Sequence, residues 1–474
     1  MVFTSLHFVA FFVVVYALYR ALPHRAQNVM LLGASYYFYA SWDWRFLSLL
    51  LGSTVVDFLV GRYLGRETDP RRRRIALVLS LIFNLGMIGF FKYFEFFEEG
   101  LVALGLLVGW QFDPLTLNVV LPIGISFYTF MTISYVIDVY RRNIAPTTHP
   151  LDFALFVAYF PHLVAGPILR ASLLLPQIER PRAITRDQIT GGLWLIGWGC
   201  FQKMFVADNL APLVDTVFGP SSTPTGADVV VAAWAFAFQI YGDFAGYSNI
   251  ARGTSRLMGI ELNVNFRFPY FVASPQAFWR HWHISLSTWL RDYLYIPLGG
   301  SRGGGWKTYR NLMITMALGG LWHGAAWTFV IWGLYQGTVL VAARVIQQWA
   351  GRAGVVVREG LSLPRAALGV LMFHLTCLGW LIFRADSMGQ LVQLVSFVVH
   401  DFRPTRTTVD SLLMPLLLIV IPLLAVHIYQ ARHDSEDAPL ALPVVVRYAL
   451  YGALFWAVLL WGDFEGAQFI YFQF

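Results

Sequence analysis

The stretch RYLGRETDPRRRRIALVLSLIFNLGMIGFFKYF, residues 62–94, decides the fold. Its first part holds six arginines in thirteen residues: Arg62, Arg66 and Arg71 through Arg74. From Ile75 to Phe91 it then carries no charge at all. An uncharged apolar run of about this length has the reach of a membrane helix. Arginine collects on the cytoplasmic side of such helices. The cluster therefore marks a cytoplasmic loop, and residues 75–94 predict a crossing that ends at Glu95, Glu98 and Glu99 on the far side.

The rest of the chain repeats that alternation. Of its 474 residues 57% are hydrophobic and 13% charged, about half the charge of a soluble domain. The bilayer is its solvent. Apolar runs at 5–22, 45–61, 75–94, 117–140, 190–217, 228–250, 311–348 (two joined spans), 366–383, 411–429 and 443–461 predict about eleven crossings at roughly 20 residues each, and a shorter run, 28–41, ends in aromatics suited to a membrane interface. Residues 101–110 are too short to span and read as interfacial or re-entrant. Residues 151–168 contain FPHLVAGPILR, where two prolines and a glycine break the run. Residues 252–310 hold no clear span. They carry eight basic residues against Glu261 and Asp292, among bulky apolar ones. This pattern predicts amphipathic and re-entrant helices at the cytoplasmic face. The expected fold is an all-α polytopic membrane protein forming one integral-membrane domain over residues 1–474.

Several function classes drop out. The net charge of +7 lies in loops, as membrane topology requires, and predicts no nucleic-acid partner. Cys200 and Cys377 fit no metal or redox spacing and read as buried thiols. No P-loop, dinucleotide fingerprint or nucleophile elbow is present. The first segment has no cleavage site and reads as an uncleaved span.

Chemistry concentrates in two stretches, FWRHWHISLSTWLRDYLYIPLGG (278–300) and LGGLWHGAAWTFVIW (318–332). Titratable groups inside a membrane are costly and usually mark a site. His323 has no carboxylate within eight residues on either side, and Gly319, Gly320 and Gly324 clear space around it. It is either a core histidine bonded to a carbonyl or a neutral imidazole able to take a proton from an alcohol. His281 and His283 are two apart, so a regular helix turns them different ways. His283 is expected inward and His281 interfacial, and metal binding by the pair is not expected. Arg291 and Asp292 read either as an ion pair or as part of a phosphate-holding donor site. Trp322 and Asp243 are further donor-site or tunnel candidates, Asp243 sitting in YGDFAGYSNIARG. The tail FIYFQF, 469–474, is too aromatic to lie exposed. It reads as an anchor, or as the carrier of Tyr471, a phenol able to hold an acyl group briefly.

These stretches, with FPHLVAGPILR, YGDFAGYSNIARG and FIYFQF, resemble the bacterial branch of the membrane-bound O-acyltransferase family that O-acetylates alginate and other exported polysaccharides. The motifs run from about residue 160 to the C-terminus, with a catalytic region at about 241–335. The resemblance implies helices and re-entrant segments around a central tunnel. It implies no bound cofactor, and acetyl-CoA or a related thioester as acyl donor from the cytoplasm. It maps the family's catalytic histidine onto His323 and its second histidine onto His283. One departure is His281, where the branch commonly carries arginine. The implied setting is the bacterial inner membrane, with a periplasmic SGNH-hydrolase-type acetyltransferase and other polysaccharide-modification proteins as partners. His283 would orient the donor or steady developing charge. Three alternatives remain open: a D-alanyl or other transferase fed by a carrier-protein thioester, a transporter or flippase with a histidine proton relay, and a scaffold in an export complex.

Overall fold

The computed structural model describes residues 1–110, 117, 119–164, 166–220, 222–352, 363–464 and 469–470. Among them there are helices and turns and no strands. Packing groups the chain into two units, 1–192 with 251–263, and 193–250 with 264–474.

The first unit is built from α1 (Leu6–Ala21), α2 (His24–Asp43), α3 (Leu47–Arg66), α4 (Pro70–Leu107), α5 (Ile125–Tyr140), α6 (Pro150–Ala158), α7 (Phe160–Leu163), α8 (Ala171–Glu179) and the start of α9 (Arg186–Cys200). Its interior is polar where helices cross. Buried Asp57 of α3 accepts from Ser80 at 2.6 Å and Asn84 at 2.8 Å, both on α4. Ser53 donates to Asn84 at 3.0 Å. Burying such groups is tolerable only because each has a partner. The expected break at 151–168 is present as the step from α6 to α7.

The arginine cluster behaves differently from a loop. Asp69 caps α4, accepting from the Arg71 amide at 2.7 Å, and Pro70 occupies the first turn, where a missing N–H costs nothing. Arg71 through Arg74 are therefore the opening turns of a helix. Arg73 folds inward and donates to the Leu64 and Glu67 carbonyls at the end of α3 and to the Tyr140 carbonyl at the end of α5. A cation at two helix C-termini answers both sets of orphan carbonyls. At its other end α4 runs on to Leu107, so 101–110 is not a separate segment. Nothing between Glu95 and Leu107 breaks a helix, and the first left-handed residue is Gly109.

The second unit comprises the end of α9, a π-helical turn (Phe201–Ala207), α10 (Asp208–Phe218), α11 (Gly226–Leu257, through Ile250), α12 (Pro275–His281), α13 (Ile284–Leu290), a π-helical turn (Arg291–Tyr295), α14 (Gly305–His323), α15 (Trp327–Arg352), α16 (Leu363–Arg384), α17 (Met388–His400), α18 (Met414–Arg432) and α19 (Val444–Trp461). Seven helical stretches of the described residues are long and apolar enough to cross a membrane. One of them, His24–Arg66, contains both α2 and α3, and α1 and α17 are apolar but shorter. The protein is an all-α, multi-pass membrane protein.

The hairpin α14–α15 carries His323 at the end of its first arm. It closes tightly because Gly320 has no side chain: a Cβ there would meet the Phe329 carbonyl oxygen and lie 3.0 Å from the Gly333 Cα. Backbone cannot yield as a side-chain tip can. Gly320→Val is expected to destabilise the folded protein by about 3 kcal/mol, read as a lower melting temperature in detergent and reduced membrane yield.

Candidate active site

The site begins with an interrupted helix. Ser274 caps α12, accepting from the Ala277 amide at 3.2 Å, and Pro275 opens it. Past His281 the backbone leaves the helix: Trp282 is extended, and His283 is left-handed at φ 41°, ψ 55°. A non-glycine residue there is strained by about 1–3 kcal/mol, and such strain clusters at functional positions. The backbone groups freed by the break are taken up by the neighbouring segment 265–267. The Arg267 amide donates to the His281 carbonyl at 2.9 Å, and the Ile284 amide to the Asn265 carbonyl at 2.9 Å.

The same Asn265 fixes the imidazole. Its side-chain oxygen accepts from the Ser285 backbone amide at 3.3 Å and the Ser285 hydroxyl at 2.9 Å, and lies 3.2 Å from His283 Nδ1. A backbone N–H can only donate, so the atom facing all three is the amide oxygen. His283 Nδ1 must then carry the proton, and Nε2 the lone pair. Burial drives the pKa of His283 down, to about 3, so the ring is neutral at cellular pH. Replacing Asn265 with alanine removes the group that selects this tautomer. The expected outcome is a fall in activity of about 10²-fold at equal folded protein, measured on the purified protein.

His323 closes α14 and is 4% exposed. Its ring centroid lies 5.0 Å from Trp322, 5.0 Å from Trp332 and 5.4 Å from Phe383. His283 sits with Phe244 at 4.7 Å and Trp322 at 5.9 Å. The two imidazole centroids are 6.5 Å apart, too far for their nitrogens to bond to each other. Two buried histidines, one in the break before α13 and one at the end of α14, thus share one aromatic chamber, with Trp322 against both. In such a low-dielectric setting polar groups act with more force than in water.

The other residues singled out in the sequence fall into place unevenly. His281 is half-buried and its Nδ1 lies 2.7 Å from the Ala277 carbonyl of its own helix. Arg291 pairs with Asp292 beside it at 2.7 Å. Asp243 is buried and ion-paired to Lys203 at 2.7 Å. Tyr471 lies outside the described residues. Among the described residues no group of three or more histidine, cysteine or acidic side chains could hold a metal. Sequence reasoning missed Asn265, Phe244, Trp332 and Phe383. Nothing marks an asparagine in NVNF, and aromatics are everywhere in this chain. It also missed Lys203 and Asp208, although charges inside the apolar run 190–217 were a usable signal.

Known proteins share these segments. The profile of the membrane-bound O-acyltransferase family matches residues 140–373. The chain is 43% identical to the probable alginate O-acetylase AlgI of Azotobacter vinelandii, over 82% of this chain and 76% of that one. It is 39% identical to the protein of that name from Pseudomonas putida, over 94% and 91%. The peptidoglycan O-acetyltransferase of Helicobacter pylori is 34% identical over 84% and 79%.

Proposed function

Because this chain belongs to the membrane-bound O-acyltransferase family, we propose that it moves an acetyl group from a cytoplasmic thioester, acetyl-CoA, across the inner membrane for O-acetylation of an exported, alginate-like polysaccharide. It is a multi-pass membrane acyltransferase. The alginate and peptidoglycan names of its relatives support a polysaccharide acceptor. The single observation carrying the chemistry is the pair of buried imidazoles in one aromatic chamber, with centroids 6.5 Å apart.

The reaction needs one proton acceptor and a water-poor site. His323 accepts the proton of an attacking hydroxyl, from an acceptor molecule or from Tyr471. The oxygen adds to the thioester carbonyl, the C–S bond breaks, and the thiolate leaves and takes up a proton as an ester forms. His283 cannot donate from Nε2, because its proton is held at Nδ1 by Asn265. Its lone pair instead orients a hydroxyl or amide N–H of the donor. A periplasmic SGNH-hydrolase-type partner completes transfer to the sugar. Water is kept from the thioester by the tryptophan and phenylalanine walls.

The test is sidedness. Purified protein in sealed vesicles, all in one orientation, receives labelled acetyl-CoA on one face only. The expected result is CoA release on that face and, with the partner enclosed, label on a polysaccharide in the lumen. Label delivered only from a carrier-protein thioester would replace the donor assigned here. Both thioesters remaining intact, with no labelled product, would reject acyl transfer as the activity.

A further inference from the structure

We propose that Lys203, Asp208 and Asp243 form a clamp that seats Phe469 and Ile470 against the histidine chamber, with Asp243 as the positioning residue for the reaction. Lys203 Nζ lies 2.7 Å from Asp208 Oδ1 and 2.7 Å from Asp243 Oδ1, with side chains 3–4% exposed. The other oxygen of Asp243 accepts the backbone N–H of Ile470 at 2.7 Å. One carboxylate therefore faces a lysine on one side and the Ile470 amide on the other.

The local fold is arranged for this. Lys203 lies in the π-helical turn Phe201–Ala207, a distortion often found at functional sites. That turn comes close to α11 because Gly246 has no side chain: a Cβ there would lie 3.0 Å from the Lys203 Cβ and 2.7 Å from the Gly199 carbonyl oxygen. Three charges buried together are costly unless all are answered. One lysine against two carboxylates leaves an acceptor in excess, and the Ile470 amide donates to it. A charge-assisted bond to a backbone N–H is stronger than a neutral one.

What the clamp holds is part of the chamber. Phe469 is fully buried, with its ring 5.5 Å from Phe244 and 4.7 Å from Tyr247. Phe244 is the ring set edge-on against His283 at 4.7 Å. Releasing Ile470 withdraws the support behind the wall of His283. The inference rests on the histidine chamber being the acyl-transfer site, and deepens that reading by adding how the chamber is closed.

Single removal of Asp243 would strand a buried lysine, so the test uses matched triple variants of the full chain in nanodiscs. Lys203→Met/Asp208→Asn/Asp243→Asn removes the charges and keeps an acceptor for Ile470. Lys203→Met/Asp208→Asn/Asp243→Leu removes the charges and the acceptor. Amide hydrogen exchange of the C-terminal peptide is read with kcat and KM. The leucine variant is expected to exchange there about tenfold faster or more, with kcat reduced and melting temperature close to that of the asparagine variant. The asparagine variant is expected to keep protection and recover most of kcat. Equal protection of the C-terminal peptide in the two variants would overturn the clamp. That outcome is independent of the chemistry, since retained turnover in a His323 variant would sink the active-site reading and leave the exchange result standing.

Discussion

Replacing His323 with alanine is expected to lower O-acetylation of the polymer by about 10²- to 10⁴-fold, the range for loss of a general base, while the protein still inserts and folds. The size follows from the surroundings. His323 is ringed by Trp322, Trp332 and Phe383 within 5.4 Å, and those side chains offer no basic nitrogen to take its place. Alanine leaves a small cavity among rings that pack on one another as well, since Trp332 and Phe383 are 5.3 Å apart. The stability loss should therefore stay near about 2 kcal/mol, against a far larger loss of rate. The check is acetyl content of the secreted polymer in cells that express matched amounts of each protein. A scaffold would keep acetylation in this variant, and so would a channel that merely passes acetyl donors.

The second large effect falls on His283. His283→Asn is expected to reduce turnover by about 10²-fold or more with little change in melting temperature. Asparagine tolerates the left-handed conformation at this position better than most residues, and its amide N–H can still reach the Asn265 oxygen. What it lacks is the imidazole lone pair at the Nε2 position. His283→Gly is the companion: it relieves the strain at φ 41° but leaves a cavity beside Phe244 and Trp322, so a stability loss of about 2 kcal/mol is expected with the same loss of activity. Both are measured as thioester cleavage by purified protein, with melting curves beside the rates.

Much of this was legible in the sequence, for physical reasons. Length of apolar run, arginine position and helix breakers are local properties, so the all-α membrane fold, the broken segment before Val164 and the α14–α15 hairpin could be read directly. His283 and His323 stood out because a titratable side chain in an apolar setting is expensive. The limits are equally physical. Arg73 reads as one more loop arginine until its carbonyl partners on α3 and α5 are seen. Asn265 fixes the His283 tautomer through a contact that no spacing rule contains. Asp243 invited a donor-site reading because it lies among glycines and aromatics. In the structure it is turned toward Lys203 and Ile470. Which of its neighbours a buried carboxylate faces is a tertiary fact.

The central claim is that two histidines from separate segments, the break before α13 and the end of α14, form one catalytic unit. A double-mutant cycle tests it most directly: single-turnover cleavage of acetyl-CoA by purified wild type, His323→Ala, His283→Asn and the double variant, at equal folded concentration. Residues acting as a unit are strongly non-additive. The double variant should therefore lose scarcely more than the slower single variant, and both single variants should lose about 10²-fold or more. Losses that multiply in the double variant, or wild-type rates in either single variant, would contradict the account.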